Sequence, residues 1–164
     1  MRALITIALT FIGSSVWAQD ATAQMEPAAI RSALDAIDLQ PGETLYDLGC
    51  GEGRVLLEAR RNYGARVLGV EIDPAIYRRC QANMQGRTGW KVIQDDATLY
   101  DLSGADVVTV YLYADVLERI RWDTLKPGAR VISYCHPIPG LQTTEYRCQI
   151  DGHEHVYYLY REPK

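Results

Sequence analysis

The sequence predicts an α/β three-layer sandwich whose mostly parallel sheet ends in an antiparallel hairpin. Three observations carry this. Short apolar runs alternate with stretches of helical period in a βαβα order. The first run, Leu45 to Leu48, turns through Gly49, Gly51 and Gly53 into a helix. Near the end, Asp151-Gly152 separates two strand-like runs, a strong hairpin signal.

Taken in order, Ala29, Ile30, Ala33, Leu34 and Ile37 recur with helical spacing behind Pro27, which predicts a first helix over 27–37. Pro41-Gly42 is a turn before a strand over 44–48. A helix from about 53 to 63 buries Val55, Leu56 and Ala59, and a strand over 66–71 follows. Pro74 sits at the first turn of the next helix, where its missing N–H costs nothing, with Ile76 and Cys80 inward. Residues 90–94 read as a third strand. Residues 107–112 are almost wholly apolar, as a central parallel strand covered on both faces should be. A helix over 115–123 turns Val116, Leu117 and Ile120 inward, and a fifth strand spans 131–135. After Pro137-Ile138-Pro139-Gly140, strands over 144–150 and 154–161 close the chain. On the last, Tyr158 and Tyr160 share one face, Tyr157 and Leu159 the other.

The glycine turn is the chemical centre. Glycine takes positive φ and lets a ligand lie against the backbone, and the helix behind it offers free N–H groups. Glu71 ends the second strand 24 residues after Asp47, a placement suited to ribose hydroxyls. The residues thus point to a nucleoside-containing cofactor. A pyrophosphate is disfavoured: the dinucleotide fingerprint is Gly-x-Gly-x-x-Gly, whereas Gly49, Gly51 and Gly53 alternate. Asp47 would repel a pyrophosphate but would support a cationic amino-acid moiety.

This set resembles the first motif of the class I, seven-β-strand, Rossmann-like S-adenosylmethionine-dependent methyltransferases. The resemblance runs over residues 27 to 161. Val70-Glu71-Ile72-Asp73-Pro74 is similar to the family's ribose-binding strand end. Gln94-Asp95-Asp96-Ala97 is similar to its adenine-binding segment, with Asp96 facing the adenine amino group. Residues 105–112 resemble the fourth strand, and Leu125-Lys126-Pro127-Gly128 the turn into the fifth. More narrowly, the chain resembles single-domain bacterial methyltransferases and, remotely, mitochondrial protein-lysine methyltransferases, departing from both at Cys135-His136-Pro137. The resemblance implies S-adenosyl-L-methionine as cofactor, held by Asp47, Gly49, Cys50, Gly51, Gly53, Glu71, Ile72, Asp95, Asp96 and Ala97. It implies methyl transfer to a nitrogen or oxygen acceptor, with a protein as the candidate carrier. The absence of an Asn/Asp-Pro-Pro-Tyr segment after the fourth strand counts against amino-methylation of nucleobases.

Two candidate catalytic residues follow. Tyr111 ends the fourth strand, where the family often places substrate contacts; its hydroxyl would bond or help deprotonate the acceptor and its ring would face a cation. Tyr113 shares its face only if the strand runs on that far. His136 follows the fifth strand with an imidazole able to accept a proton. His153 and His155, at the final hairpin, are expected to face solvent. Two further readings stay open at this point: a non-catalytic nucleoside-binding module, and a nucleotide-dependent oxidoreductase, against which the glycine spacing and Asp47 speak.

Residues 1–18 have the form of a secretory signal peptide: Arg2, an apolar Ala3–Gly13, then small residues before a cleavage point after Ala18. Eleven mostly apolar residues fall short of the ~20 a membrane span needs. Export to the periplasm or beyond is the expectation; a cytoplasmic form starting at Met25 and an uncleaved membrane anchor are the alternatives. Residues 19–26 read as a flexible tether, and 27–164 as one domain. The formal charge of −4, with no basic block, argues against nucleic acid as the main partner; the pairs at 60–61 and 78–79 read as solvated helix faces. Of the four cysteines, Cys50 and Cys80 have no evident partner. In the family's sheet order the strands of Cys135 and Cys148 are separated by another, about 9–10 Å, beyond disulfide reach. None fits a zinc spacing, and no metal is expected.

Overall fold

A computed structural model describes residues 25–162. The signal peptide and all of the expected tether but Met25 and Glu26 lie outside the described residues. The elements are α1 (Pro27–Ala36), β1 (Thr44–Leu48), α2 (Arg54–Tyr63), β2 (Arg66–Glu71), α3 (Pro74–Met84), β3 (Trp90–Gln94), β4 (Val107–Val110), α4 (Ala114–Leu117), a 3-10 turn (Trp122–Thr124), β5 (Arg130–Tyr134), β6 (Thr144–Ile150) and β7 (His153–Arg161). Seven strands form one sheet in the order β3-β2-β1-β4-β5-β7-β6. The first five run parallel, and β7 pairs antiparallel with both β5 and β6.

The layers follow from alternation along the strands. Leu45, Val67, Val107, Ile132 and Tyr157 face α1, α2 and α3, whose Ile30, Leu34, Leu56, Ala59, Cys80 and Met84 fill one core. Leu48, Val70, Val108, Val110 and Val131 face the opposite way, onto Leu117, Ile120, Leu125 and Ile138. Asp73 accepts from the N–H groups of Ala75 and Ile76, and Pro74 behind it starts α3 with a preset φ. Arg130 is buried at the foot of β5, where it donates to the Asp38 carbonyl and pairs with Glu43, tying α1's end to the sheet. Among the described residues no helix is long and apolar enough to cross a membrane.

Three elements differ from expectation. The helix expected over 115–123 is one turn, Ala114–Leu117. The Trp122 indole N–H takes the Leu117 carbonyl at 2.9 Å, the acceptor a continuing helix would offer to residue 121, and the chain tightens into 3-10 geometry. Strand β4 stops at Val110 rather than residue 112, because its neighbour β1 ends opposite it at Leu48 and turns away. Strand β5 runs from 130 to 134, and Cys135 takes a left-handed φ of 66° that redirects the chain.

Candidate active site

Beyond Leu48 the chain leaves the sheet by bonding sideways. The N–H groups of Gly49 and Cys50 both reach the Val70 carbonyl of β2, at 2.8 and 3.0 Å. Gly49 (φ 74°) lies so close to Leu112 that a Cβ there would come within 2.7 Å of Leu112 Cδ2. Gly51 (φ 54°) has nothing within 4 Å of where its Cβ would stand, so open space begins above its backbone. Glu71, buried at the tip of β2, binds this turn: Oε2 accepts from Gly51 N at 3.0 Å and Oε1 from Asp73 N at 2.9 Å. Each oxygen keeps a lone pair for a hydroxyl donor. From the far side Arg79 pairs with Glu52 at 3.1 Å and Asn83 donates to the Glu52 carbonyl, which fastens α3 to the loop.

Asp47 lies behind the turn, 5% exposed, and its Oδ1 accepts from Thr109 Oγ1 of β4 at 2.7 Å. Burial pushes its carboxyl up to about 7, with Thr109 opposing and the nearby Glu71 adding to the rise. A cation set beside Asp47 would relieve that cost, so the position suits one. The Cys50 thiol, 3.9 Å from Cys80 Sγ, is pushed up by its bond to that sulfur and by burial; Cys50 therefore does have a neighbour, which sequence spacing concealed because 30 residues separate the pair.

A cleft of ≈ 420 Å³ opens from Asp47 and the glycine turn across the end of β4 to α1 and β7, within the range of roughly 300–1,000 Å³ usual for ligand sites. Its walls combine Ile30, Leu34 and Ile132 with four tyrosines, 111, 113, 134 and 157. Tyr111 stands edge-on to Tyr134 at 4.6 Å, and Tyr134 lies 5.4 Å from Tyr157. Burial, with Cys135 and Tyr113 nearby, pushes the Tyr111 phenol up to about 12. Tyr157 is fully buried and its hydroxyl donates to the Ala29 carbonyl at 2.9 Å, fixing α1 over the sheet.

Of the residues expected from sequence, the structure gathers Asp47, Gly49, Cys50, Gly51 and Tyr111 in the cleft lining. Gly53 caps α2 behind the turn. Glu71, Ile72, Asp95, Asp96 and Ala97 lie beside the cleft at the tips of β2 and β3, outside its lining. Ile72 is 65% exposed there. Asp96 Oδ1 accepts from the N–H and hydroxyl of Thr98, which lowers its carboxyl below the usual range, and Asp95 Oδ1 accepts from Asp96 N. His136 does not line the cleft; its Nε2 is buried without a hydrogen-bond partner and its ring stands 6.3 Å from Tyr113. His155, expected in solvent, is instead half-buried, with Nδ1 2.8 Å from the Tyr134 hydroxyl. Sequence reasoning missed Thr109, Tyr134 and Tyr157 as site residues. Alternation alone put Tyr157 on a face, but only the β5–β7 pairing sets it against Tyr134.

Comparison with known proteins agrees with this architecture. Residues 47–145 match the model of the ANTKMT methyltransferase domain. A protein-lysine N-methyltransferase of Saccharolobus islandicus (strain REY15A) is 33% identical over 139 residues, covering 80% of this chain and 86% of that protein. A ribosomal protein L11 methyltransferase of Enterobacter sp. (strain 638) is 33% identical over 93 residues, which span 53% of this chain and only 30% of that protein. The crystal structure of an RNA methyltransferase from Salinibacter ruber in complex with S-adenosyl-L-homocysteine superposes with a TM-score of 0.78 at 28% identity, covering 87% of this chain and 95% of that one. The chain therefore belongs to the ANTKMT methyltransferase domain family and is a class I S-adenosylmethionine-dependent methyltransferase.

Proposed function

We propose that this methyltransferase modifies a lysine amine of a protein, with the cofactor lying across the tips of β1, β2 and β3 and the acceptor entering the tyrosine-lined cleft. The observation that carries the reading is that cleft: apolar walls and aromatic rings suit an aliphatic stem and its cationic end, and they adjoin the glycine turn. The protein-lysine activity named for the Saccharolobus relative supports it. The net charge of −4 argues against an RNA acceptor.

The residues fit the cofactor. Asp47, costly to ionise when alone, receives its cationic amino-acid end. The backbone of Gly49, Cys50, Gly51 and Gly53 leaves room for that end, since no side chain fills the space above Gly51. Glu71 takes the ribose hydroxyls with its remaining lone pairs, and Ile72 covers one face of the purine. Asp95, Asp96 and Ala97 border the purine's polar edge. When bound, S-adenosylmethionine supplies an electrophilic methyl carbon on a sulfonium.

The chain's task is then to hold the acceptor nitrogen in line and dry. Positioning of this kind contributes several kcal/mol to a displacement. Tyr111, a neutral phenol at working pH, contacts the acceptor and orients it, while α1 with Ile30 and Leu34 keeps water out. The test is labelled methyl transfer into a whole-cell extract, fractionated into protein, RNA and small molecules, with peptide mass spectrometry on the protein. Methyl-lysine supports the reading; label confined to RNA or to small molecules contradicts it.

A further inference from the structure

We propose that Tyr134 and His155 form a proton relay that draws the proton from the acceptor nitrogen in the cleft and passes it to solvent. The inference rests on the reading above only in requiring an acceptor that has a proton to lose.

The geometry sets the two residues in line. Tyr134 ends β5 and its side chain walls the cleft. Its register partner on β7 is Tyr157, so His155, two residues earlier, lies on the same face of the sheet and diagonally within reach. The hydroxyl and Nδ1 meet at 2.8 Å, and the rings are 5.9 Å apart. The inner end of the pair is therefore in the cleft, and its outer end is a half-exposed imidazole.

A comparison with Tyr157 separates relay from mere satisfaction of a buried phenol. The Tyr157 hydroxyl spends its proton on a backbone carbonyl, that of Ala29, and the bond leads nowhere. The Tyr134 hydroxyl meets a group that itself takes up and gives off a proton. The charged and titratable neighbours are few. Tyr111 faces Tyr134 from the chain beyond β4, and burial together with Cys135, whose side chain hydrogen-bonds the Tyr134 hydroxyl, holds that phenol above the usual range. Cys148 of β6 stands opposite His155 and receives a hydrogen bond from Ser32 of α1 at 3.2 Å. His153 and Asp151 flank the imidazole from the hairpin. Burial and His153 lower the His155 pKa while Asp151 opposes them, which favours the neutral ring; in its Nε2–H tautomer Nδ1 accepts from the Tyr134 hydroxyl.

With the Tyr134 O–H directed at Nδ1, the phenol oxygen presents its lone pairs to the cleft. An acceptor ammonium, ordinarily near pKa 10.4, gives an N–H proton to that oxygen as the tyrosine's own proton moves to Nδ1. The imidazolium then releases its Nε2 proton to water. One proton leaves the acceptor and one reaches solvent. Tyr134 is unchanged, His155 returns to its neutral form and recovers its tautomer by exchange with water, and the acceptor nitrogen is left with the lone pair it needs.

The test uses the full chain, Tyr134→Phe, His155→Gln, and His155→Ala with and without added imidazole. Single-turnover methyl transfer is followed from pH 6 to 10.5 on whichever acceptor wild type labels. At pH 7 we expect about a 100-fold loss in Tyr134→Phe and His155→Gln, the low end of general-base effects. The loss should shrink steadily as the pH approaches 10.4 and be smallest at 10.5, where about half of the amine is deprotonated unaided, and imidazole should restore His155→Ala. Cofactor affinity by calorimetry should not move. A loss independent of pH, or no loss, overturns the relay. So does labelling of an acceptor with no proton to lose. A second arm needs no acceptor: the ¹⁵N shifts of His155 should show Nδ1 unprotonated in wild type and changed in Tyr134→Phe. A protonated Nδ1 there sinks the relay and leaves the lysine assignment standing, whereas label on another protonated acceptor sinks the lysine assignment alone.

Discussion

Asp47→Asn separates the cost of the cofactor pocket from its use. In the free protein the carboxyl titrates at about 7 instead of 3.8, because it is buried with one hydroxyl donor and with Glu71 nearby. The unfolded chain ionises this group near pH 4, whereas the folded chain holds its proton until about 7. The group's contribution to stability is thus fully present below pH 4 and is lost as the pH rises through 7. At 1.36 kcal/mol per pH unit, the loss above pH 7 is on the order of 4 kcal/mol. Asparagine keeps the acceptor for Thr109 and has nothing to ionise. The variant should match wild type near pH 4 and exceed it by up to about 4 kcal/mol at pH 8, a rise in Tm of roughly 10 °C for a domain of this size. With cofactor the order turns. In the proposed binding mode a cation lies at Asp47 and needs the ionised form, so wild-type affinity should fall about tenfold for each pH unit below 7, with a proton released per cofactor bound. Asp47→Asn should bind far more weakly and without that slope. Denaturation and calorimetry from pH 4 to 8 measure both. Equal pH profiles for the two proteins, or a variant less stable at pH 8, would refute the reasoning.

Further outcomes follow from named contacts and from the N-terminal sequence pattern. Glu71→Ala removes the proposed ribose acceptor and the Gly51 tie, and Gly51→Val fills the open space above the turn; each should weaken S-adenosylmethionine binding at least 100-fold while circular dichroism stays native, and undiminished affinity would retire the assignment. Tyr157→Phe leaves the Ala29 carbonyl without its donor and should cost about 1 kcal/mol of stability, read as a shifted urea midpoint; an unchanged midpoint argues against α1 being held there. The pattern of residues 1–18 predicts that the mature chain, recovered from the envelope fraction of the cells, begins at Gln19; an intact Met1 on all of it contradicts cleavage, and recovery from the cytoplasm alone contradicts export.

The parts legible in the sequence were those that local chemistry decides. The glycine turn, the acids at the tips of β1 and β2, Pro74 at a helix start and the Asp151-Gly152 hairpin each fix a short piece of backbone. The rest depended on pairing between distant segments. Tyr134 and His155 meet only because β7 inserts between β5 and β6. Thr109 read as one more residue of an apolar strand until the β1–β4 register set it beside Asp47. The helix after Tyr113 failed for a related reason: the side chain of Trp122, five residues beyond Leu117, took the Leu117 carbonyl that helical periodicity assigns to the backbone.

The most direct measurement of the central claim is a crystal structure of the full chain with S-adenosyl-L-homocysteine. The ribose hydroxyls should lie within hydrogen-bond distance of the Glu71 carboxylate, the purine against Ile72, and the amino-acid end over Gly51 beside Asp47. A nucleoside seated elsewhere, with the tips of β1 to β3 closed over by their own side chains, would contradict it.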